Sequence, residues 1–261
     1  MLQTTIQSGF ARSRFEALYP RLFPDLGWWC PSLQSPGGTR LHDLRGSNWG
    51  TLTNMEPASD WVVSGGRGAL DFDGSNDHVL LPRSGVGLTQ FSLFFWAKPL
   101  GSVSTQQGIF QWANALSSSL PFVLITRQSS SVTRFFANGD YRATVTTPSD
   151  WANYGFSYAS GSWRFFLNGA QVGSYTGGLA NQANAARLYF GNGFSAYFQG
   201  QFDDARLYSV GLDALDCMQL YRLGRGNMPM ARKRRYTEQE QAAGFKAYWA
   251  RRQSQLIGGG V

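Results

Sequence analysis

The segment Asp71-Phe72-Asp73-Gly74-Ser75-Asn76-Asp77 carries carboxylate or amide oxygens at Asp71, Asp73, Asn76 and Asp77. Hard oxygens at this density are what a calcium ion takes. The same side chains also hold a tight turn by accepting hydrogen bonds from local backbone amides, and both readings stand. Hydrolytic chemistry has less to work with. The glutamates are Glu16, Glu56, Glu238 and Glu240, none inside an alternating apolar segment. His42 and His78 make no zinc motif, and no Gly-x-Ser-x-Gly nucleophile elbow occurs. A non-enzymatic protein is expected, one that requires no cofactor, with a structural calcium ion as the open option. Six aromatic residues, Trp112, Trp151, Trp163, Tyr175, Tyr189 and Tyr197, stack on sugar rings if they sit at loop edges and fill the core if they face inward. Trp112, Trp151 and Tyr197 are the glycan-binding candidates.

A second chemistry lies in the tail. Arg232, Lys233, Arg234 and Arg235 precede a helix-like stretch in which Thr237 and Glu240 fit a capping box. Phe245, Trp249 (or Tyr248), Arg252 and Leu256 recur at helical spacing, and Ile257 leads into Gly258–Gly260, which stop the helix. The chain has a net charge of +7, but residues 225–261 hold +6 of it and residues 28–224 carry twelve charges of each sign. The body therefore has no overall pull on phosphate. With no reading motif and no aromatic interleaving, nucleic acid is not the expected partner. Guanidinium groups pair bidentately with carboxylates, so Arg232–Arg235 with Phe245, Trp249, Leu256 and Ile257 read as a docking peg for a partner protein.

The elements that must position these residues are short strands. Aromatic content of 15%, 31 Gly and 10 Pro suit an all-β protein with many turns. Twelve segments, among them "ALDFDG", "FSLFFWAKP", "VTRFFANG", "SWRFFLNG" and "FDDARLYSV", alternate or concentrate apolar residues. Asn138-Gly139 and Asn168-Gly169 are two-residue hairpin signals. A short helix is expected at 213–222. Three zones result: an N-terminal arm (1–26), a β-sandwich body (27–224) and a basic linker with its helix (225–261). Cys30 and Cys217 read as buried apolar thiols, although one bridge between them is open. No stretch has the length and apolarity of a membrane span, and the first twenty residues lack a secretory h-region.

Four motifs, in order over residues 27–223, resemble the laminin-G-like, concanavalin A-like jelly-roll family. They are "LHDLRGSNWGTLTN" (41–54), "ALDFDGSNDHVLLP" (69–82, with His78 where Tyr is usual), "FSLFFWAKP" (91–99), and "WRFFLNGAQVGS" joined to "FQGQFDDARLYSVGLDALDCMQLY" (163–174 and 198–221). The resemblance implies a concanavalin A-like sandwich of two antiparallel sheets, a short helix after the last strand and a helical tail beyond it. It also implies that the strand carrying Asp203 and Asp204 runs close to the Asp-rich turn, which makes Asp73, Asp77 and Asp203 the expected calcium ligands. Glucanases of the family use a Glu-x-Asp-x-Glu strand, which this sequence lacks.

Relatives of this fold usually work outside cells, whereas this chain shows no export signal, and a virus particle reconciles the two. Single-domain members with added termini resemble phage decoration and tail proteins. The expected function is a structural virion protein, homo-oligomeric, its jelly-roll body facing outward and its arms bound to other virion proteins. The competing expectation is a lectin-like module or adhesin that recognises cell-surface glycans.

Overall fold

The segment Phe91-Ser92-Leu93-Phe94-Phe95-Trp96-Ala97 shows how the alternation becomes a layered structure. Phe91, Leu93, Phe95 and Ala97 point into one apolar core. Phe94 and Trp96 emerge on the opposite face, where Phe94 meets Phe166 at 6.1 Å and Trp96 stacks on Tyr221 at 5.6 Å. A strand with bulky residues on both faces must be covered on both. In the computed structural model, which describes residues 26–30, 38–43, 49–65, 67–82, 87–103, 105–115, 121–180 and 187–225, it is.

Two antiparallel sheets form a jelly-roll sandwich. The first contains β1 (Leu26–Cys30), β4 (Trp61–Ser64), β5 (Arg67–Asp73) and β7 (Phe91–Pro99), with β12 (Ala152–Ala159), β13 (Ser162–Leu167), β14 (Ala170–Thr176) and β18 (Gln199–Tyr208). Its order is β14-β13-β12-β7-β18-β5-β4, with β1 paired to the later half of β18. The second contains β2 (Arg40–Leu41), β3 (Gly50–Thr53), β6 (His78–Leu81) and β8 (Gln107–Ala113), with β9 (Val123–Arg127), β10 (Val132–Ala137), β11 (Asp140–Thr146) and β15 (Arg187–Phe190). Its order is β11-β10-β9-β8-β15-β6-β3-β2. A small third ladder pairs β16 (Asn192–Gly193) with β17 (Ala196–Tyr197).

Aromatic rings fill the space between the sheets. Phe190 lies 4.5 Å from Phe202 and 5.0 Å from Phe110, and Phe95 meets Phe110, Tyr154, Phe190 and Phe202. Such pairs add about 0.5–1.5 kcal/mol each beyond their buried area. The Asn138-Gly139 and Asn168-Gly169 turns have positive φ at both residues, as their hairpins require. The one helix of the described residues, α1 (Ala214–Arg225), starts one residue later than expected and runs three further. Asp213 caps it, its carboxylate accepting from the Asp216 amide at 2.9 Å. Tyr221 and Met218 of α1 seat it on Gly169, where an added Cβ would come within 2.8 Å of Tyr221. Cys217 is buried and free in this helix, and burial pushes its thiol pKa up. The arm 1–25, Arg232–Arg235, Phe245, Trp249, Leu256 and Ile257 lie outside the described residues.

Candidate functional site

The outer face of the second sheet carries a cleft built around one small hairpin. β16 lies directly on β8. An added Cβ at Gly108 would stand 1.9 Å from the Gly193 nitrogen, so the two backbones approach as only glycine permits. The turn that follows has Phe194 and Ser195 both at φ 56. This left-handed conformation costs non-glycine residues about 1–2 kcal/mol each. Two contacts hold it. The Phe194 amide donates to the buried Gln111 side chain at 2.9 Å, and the Phe194 ring meets Phe136 edge-on at 6.0 Å.

The hairpin closes one side of an open cleft of about 420 Å³. Phe194, Ser195, Ala196 and Tyr197 line that side, Thr105–Gln107 line the second, and Gly74 contributes the third. Buried Arg127 fixes the Thr105–Gln107 wall from behind. Its guanidinium donates to the Leu100 and Gly101 carbonyls, each at 2.7 Å, and to the Gln107 side chain at 3.4 Å. The side-chain nitrogen of Gln106 is buried with no hydrogen-bond partner, and both amide atoms of Asn192, at the foot of the hairpin, are equally unsatisfied. Tyr197 is braced by His78 at 6.3 Å. Burial holds the His78 imidazole pKa below its ordinary value, although its hydrogen bond to the Asn76 carbonyl acts the other way.

The Asp-rich turn borders this cleft but does not assemble the expected calcium site. Asp73 accepts from the Ser75 amide at 2.7 Å and the Asn76 amide at 3.4 Å, while Asp77 accepts from the Asp73 amide at 3.0 Å. Gly74, at φ +83, makes the sharp bend, and Gln199 packs beneath it. These carboxylates hold the turn. Burial raises the Asp77 pKa to about 6, with the charges of Asp73 and Asp60 adding to the effect. Asp203 is the correction. Gln199 is the β18 residue opposite Asp73, and Asp203 lies four residues further along, opposite Trp96, where the strand bulges. At about 3.3 Å per residue it is too distant to share an ion with Asp73 and Asp77. Asp204 forms a buried two-point pair with Arg206, at 2.9 and 2.6 Å. Among the described residues no group of three or more His, Cys, Asp or Glu could hold a metal.

The glycan candidates separate. Tyr197 lines the cleft. Trp112 is fully buried, packed between Phe91 and Phe122 at 5.3 and 5.4 Å, so it cannot meet a ligand. Its indole faces the core because its place on β8 has core parity, and a one-residue step would reverse it. Trp163 and Tyr189 are buried as well. Trp151 is half-buried just before β12, against Gly65, and is not part of the cleft. Gln106, Gln107 and Ser195 are site residues the sequence reading did not single out, and polar loop residues of this kind carry no periodic signal.

The profile of the concanavalin A-like lectin/glucanases superfamily matches residues 73–216. No curated protein matches the chain. Similar solved structures include a mutant of Trypanosoma rangeli sialidase displaying trans-sialidase activity (TM-score 0.67, 10% identity, 86% of this chain and 38% of that one). Another is T. rangeli sialidase in complex with sialic acid (TM-score 0.62, 11% identity, 77% and 33%). A third is a structure of botulinum neurotoxin type C, whose cell entry is dependent upon interaction with two ganglioside molecules (TM-score 0.55, 12% identity, 78% and 52%). The chain thus spans between a third and about half of these proteins. With the family's sequence pattern over more than half its length and the family's two-sheet fold, the chain belongs to the concanavalin A-like lectin/glucanases superfamily.

Proposed function

We propose that the chain is a non-catalytic carbohydrate-recognition domain and that the cleft beside hairpin β16–β17 holds the sugar. The lining of that cleft carries the reading. Its lining residues supply amides, hydroxyls, the rings of Phe194 and Tyr197, the Ala196 methyl and backbone, and none of them carries a carboxylate, imidazole or thiol. Neutral donors and acceptors beside a ring match a pyranose, whose hydroxyls need partners and whose C–H face needs an aromatic surface. Gln106 and Gln107 place two side-chain amides on one wall of the cleft, each able to donate to and accept from sugar hydroxyls. The volume of about 420 Å³ lies within the range of ligand clefts.

Glycoside hydrolysis fits poorly. The carboxylates that border the cleft are spent in the turn, Asp73 accepting from the Ser75 amide and Asp77 from the Asp73 amide. A two-carboxylate glycosidase places its pair about 5–9.5 Å apart, with the sugar between them. A similar sialidase complexed with sialic acid and a similar neurotoxin that interacts with gangliosides are consistent with recognition on this fold. A glycan array probed with the full chain and with Tyr197→Ala tests the reading. Binding that Tyr197→Ala abolishes without lowering Tm is expected, and binding indifferent to Tyr197 contradicts it.

The charge distribution favours a role for the rest of the chain. Nearly all the net positive charge sits in residues 225–261, beside a neutral body. This arrangement suits a virion protein whose sandwich faces outward, while its arms bind acidic surfaces on capsid or tail proteins and on further copies of itself. In this reading the protein reaches the outside of a cell on the particle. Particles assembled with a chain lacking residues 231–261 should leave it in the unbound fraction. Its continued presence on purified particles would refute anchoring by the tail.

A further inference from the structure

The cleft continues into a strip of rings that ends on the guanidinium of Arg134. Along β10, Phe135 and Ala137 face the core, so Arg134 and Phe136 face outward. Phe136 meets Phe194 of the cleft wall at 6.0 Å and Tyr141 of β11 at 6.3 Å. Tyr141 is 53% exposed, and the Arg134 guanidinium lies over its ring, 5.2 Å from the centroid. The neighbouring arginines are engaged. Arg142 pairs with Asp140 at 3.2 Å and covers Tyr175 at 3.8 Å, and Arg127 is clamped on loop carbonyls. Arg134 has no anionic partner among the described residues, and its Nε is buried without an acceptor. Asp140, the carboxylate beside Tyr141 in the chain, is tied to Arg142 and leaves Arg134 uncompensated.

A guanidinium held over an exposed tyrosine, with no carboxylate paired to it among the described residues, is a ready partner for an anionic oxygen pair. We infer that Arg134 and Tyr141 form an anion-recognising subsite for an acidic oligosaccharide. One sugar of this ligand occupies the cleft at Tyr197. The chain then runs over Phe194 and Phe136, and its carboxylate or sulfate meets Arg134. The inference rests on the cleft being the sugar site and adds the substrate class, a glycan with an anionic substituent a short distance from the ring held in the cleft.

The test uses the full chain and three probes: a hexuronic acid tetrasaccharide, the same tetrasaccharide carboxyl-reduced, and a sulfated form of the reduced one. The wild-type chain is expected to bind an anionic probe about tenfold more tightly than the reduced probe, with a ratio that shrinks as salt is raised. Whichever anionic probe binds better tells a carboxylate preference from a sulfate one. Arg134→Gln should bring the ratio close to one and Arg134→Lys should keep part of it, with Tm confirming that both variants fold. Tyr197→Ala should weaken all three probes without changing the ratio. A wild-type ratio near one, or a ratio that survives Arg134→Gln, overturns the anionic subsite while leaving the cleft reading intact. Affinities indifferent to Tyr197→Ala overturn the cleft reading instead, and no binding to any probe overturns both.

Discussion

Replacing Gly108 by alanine tests whether the cleft depends on the backbone contact beneath its hairpin. The new methyl carbon would lie 1.9 Å from the Gly193 nitrogen, 2.2 Å from its Cα and 2.6 Å from the Asn192 carbonyl carbon. All three are backbone atoms, so no side chain can swing away. Reaching an ordinary 3.4 Å contact requires β16 and β8 to separate by about 1.5 Å. That shift strains the Phe194 hydrogen bond to Gln111, now 2.9 Å long. Overpacking of this kind costs about 1–3 kcal/mol. The opposing gain, from a less flexible unfolded chain, is only about 0.4–1 kcal/mol. A net loss of roughly 1–2 kcal/mol should lower Tm by about 2–8 °C for a chain of this size. Gly178→Ala is the matched control, because an added Cβ there meets nothing within 4 Å. Its Tm should hold or rise slightly in calorimetry or thermal circular dichroism. A Gly108→Ala protein that melts at or above wild type, with Gly178→Ala unchanged, would show that β16 does not bear on β8 as described.

Other perturbations probe the rest of the site. The Asp77 pKa is raised from 3.8 to about 6 by burial, so the folded protein holds this proton more tightly than the unfolded chain does. The stabilisation is complete below about pH 3.8 and is lost as pH rises through 6, an effect of up to about 3 kcal/mol. Asp77→Asn keeps an acceptor for the Asp73 amide, so chemical denaturation should find it more stable than wild type at pH 7 and the gap closing toward pH 4. Ser195→Gly relieves a left-handed residue at φ 56 and should raise stability by up to about 1 kcal/mol. Arg127→Leu strands the Leu100 and Gly101 carbonyls, a loss of about 1–3 kcal/mol for each that stays dry, and proteolysis should then cut the 100–107 loop sooner. Because Asp203 stands apart from Asp73 and Asp77, calcium and chelator should leave Tm unchanged.

How much of this was legible depended on the range of the signal. Strands such as β7, β10 and β13 announce themselves through alternation, and the hairpins at Asn138 and Asn168 through residues that tolerate positive φ. The helix expected at 213–222 was equally local. β16–β17 gave no such sign, because its turn is Phe-Ser, where neither residue favours the left-handed region it occupies. β2, β3 and β4 are two to four residues long, too short for alternation to register. Parity misled at Trp112, because an aromatic on a strand reads alike for either face until the register is known. Proximity misled at Asp203, because the bulge in β18 and the pairing of Gln199 with Asp73 are long-range facts. The cleft joins Gly74, Thr105–Gln107 and Phe194–Tyr197, segments that only the closed sandwich brings together.

The central claim, that the cleft beside β16–β17 is the sugar-binding site of this domain, can be read directly from amide NMR shifts. An isotope-labelled full chain would be titrated with the strongest hit from the glycan array. The account predicts that the largest shifts fall on the side-chain amide of Gln106 and on the backbone of Thr105–Gln107 and Phe194–Tyr197. Shifts concentrated on the outer face of the first sheet or in residues 225–261, with the Gln106 amide unmoved, would contradict it.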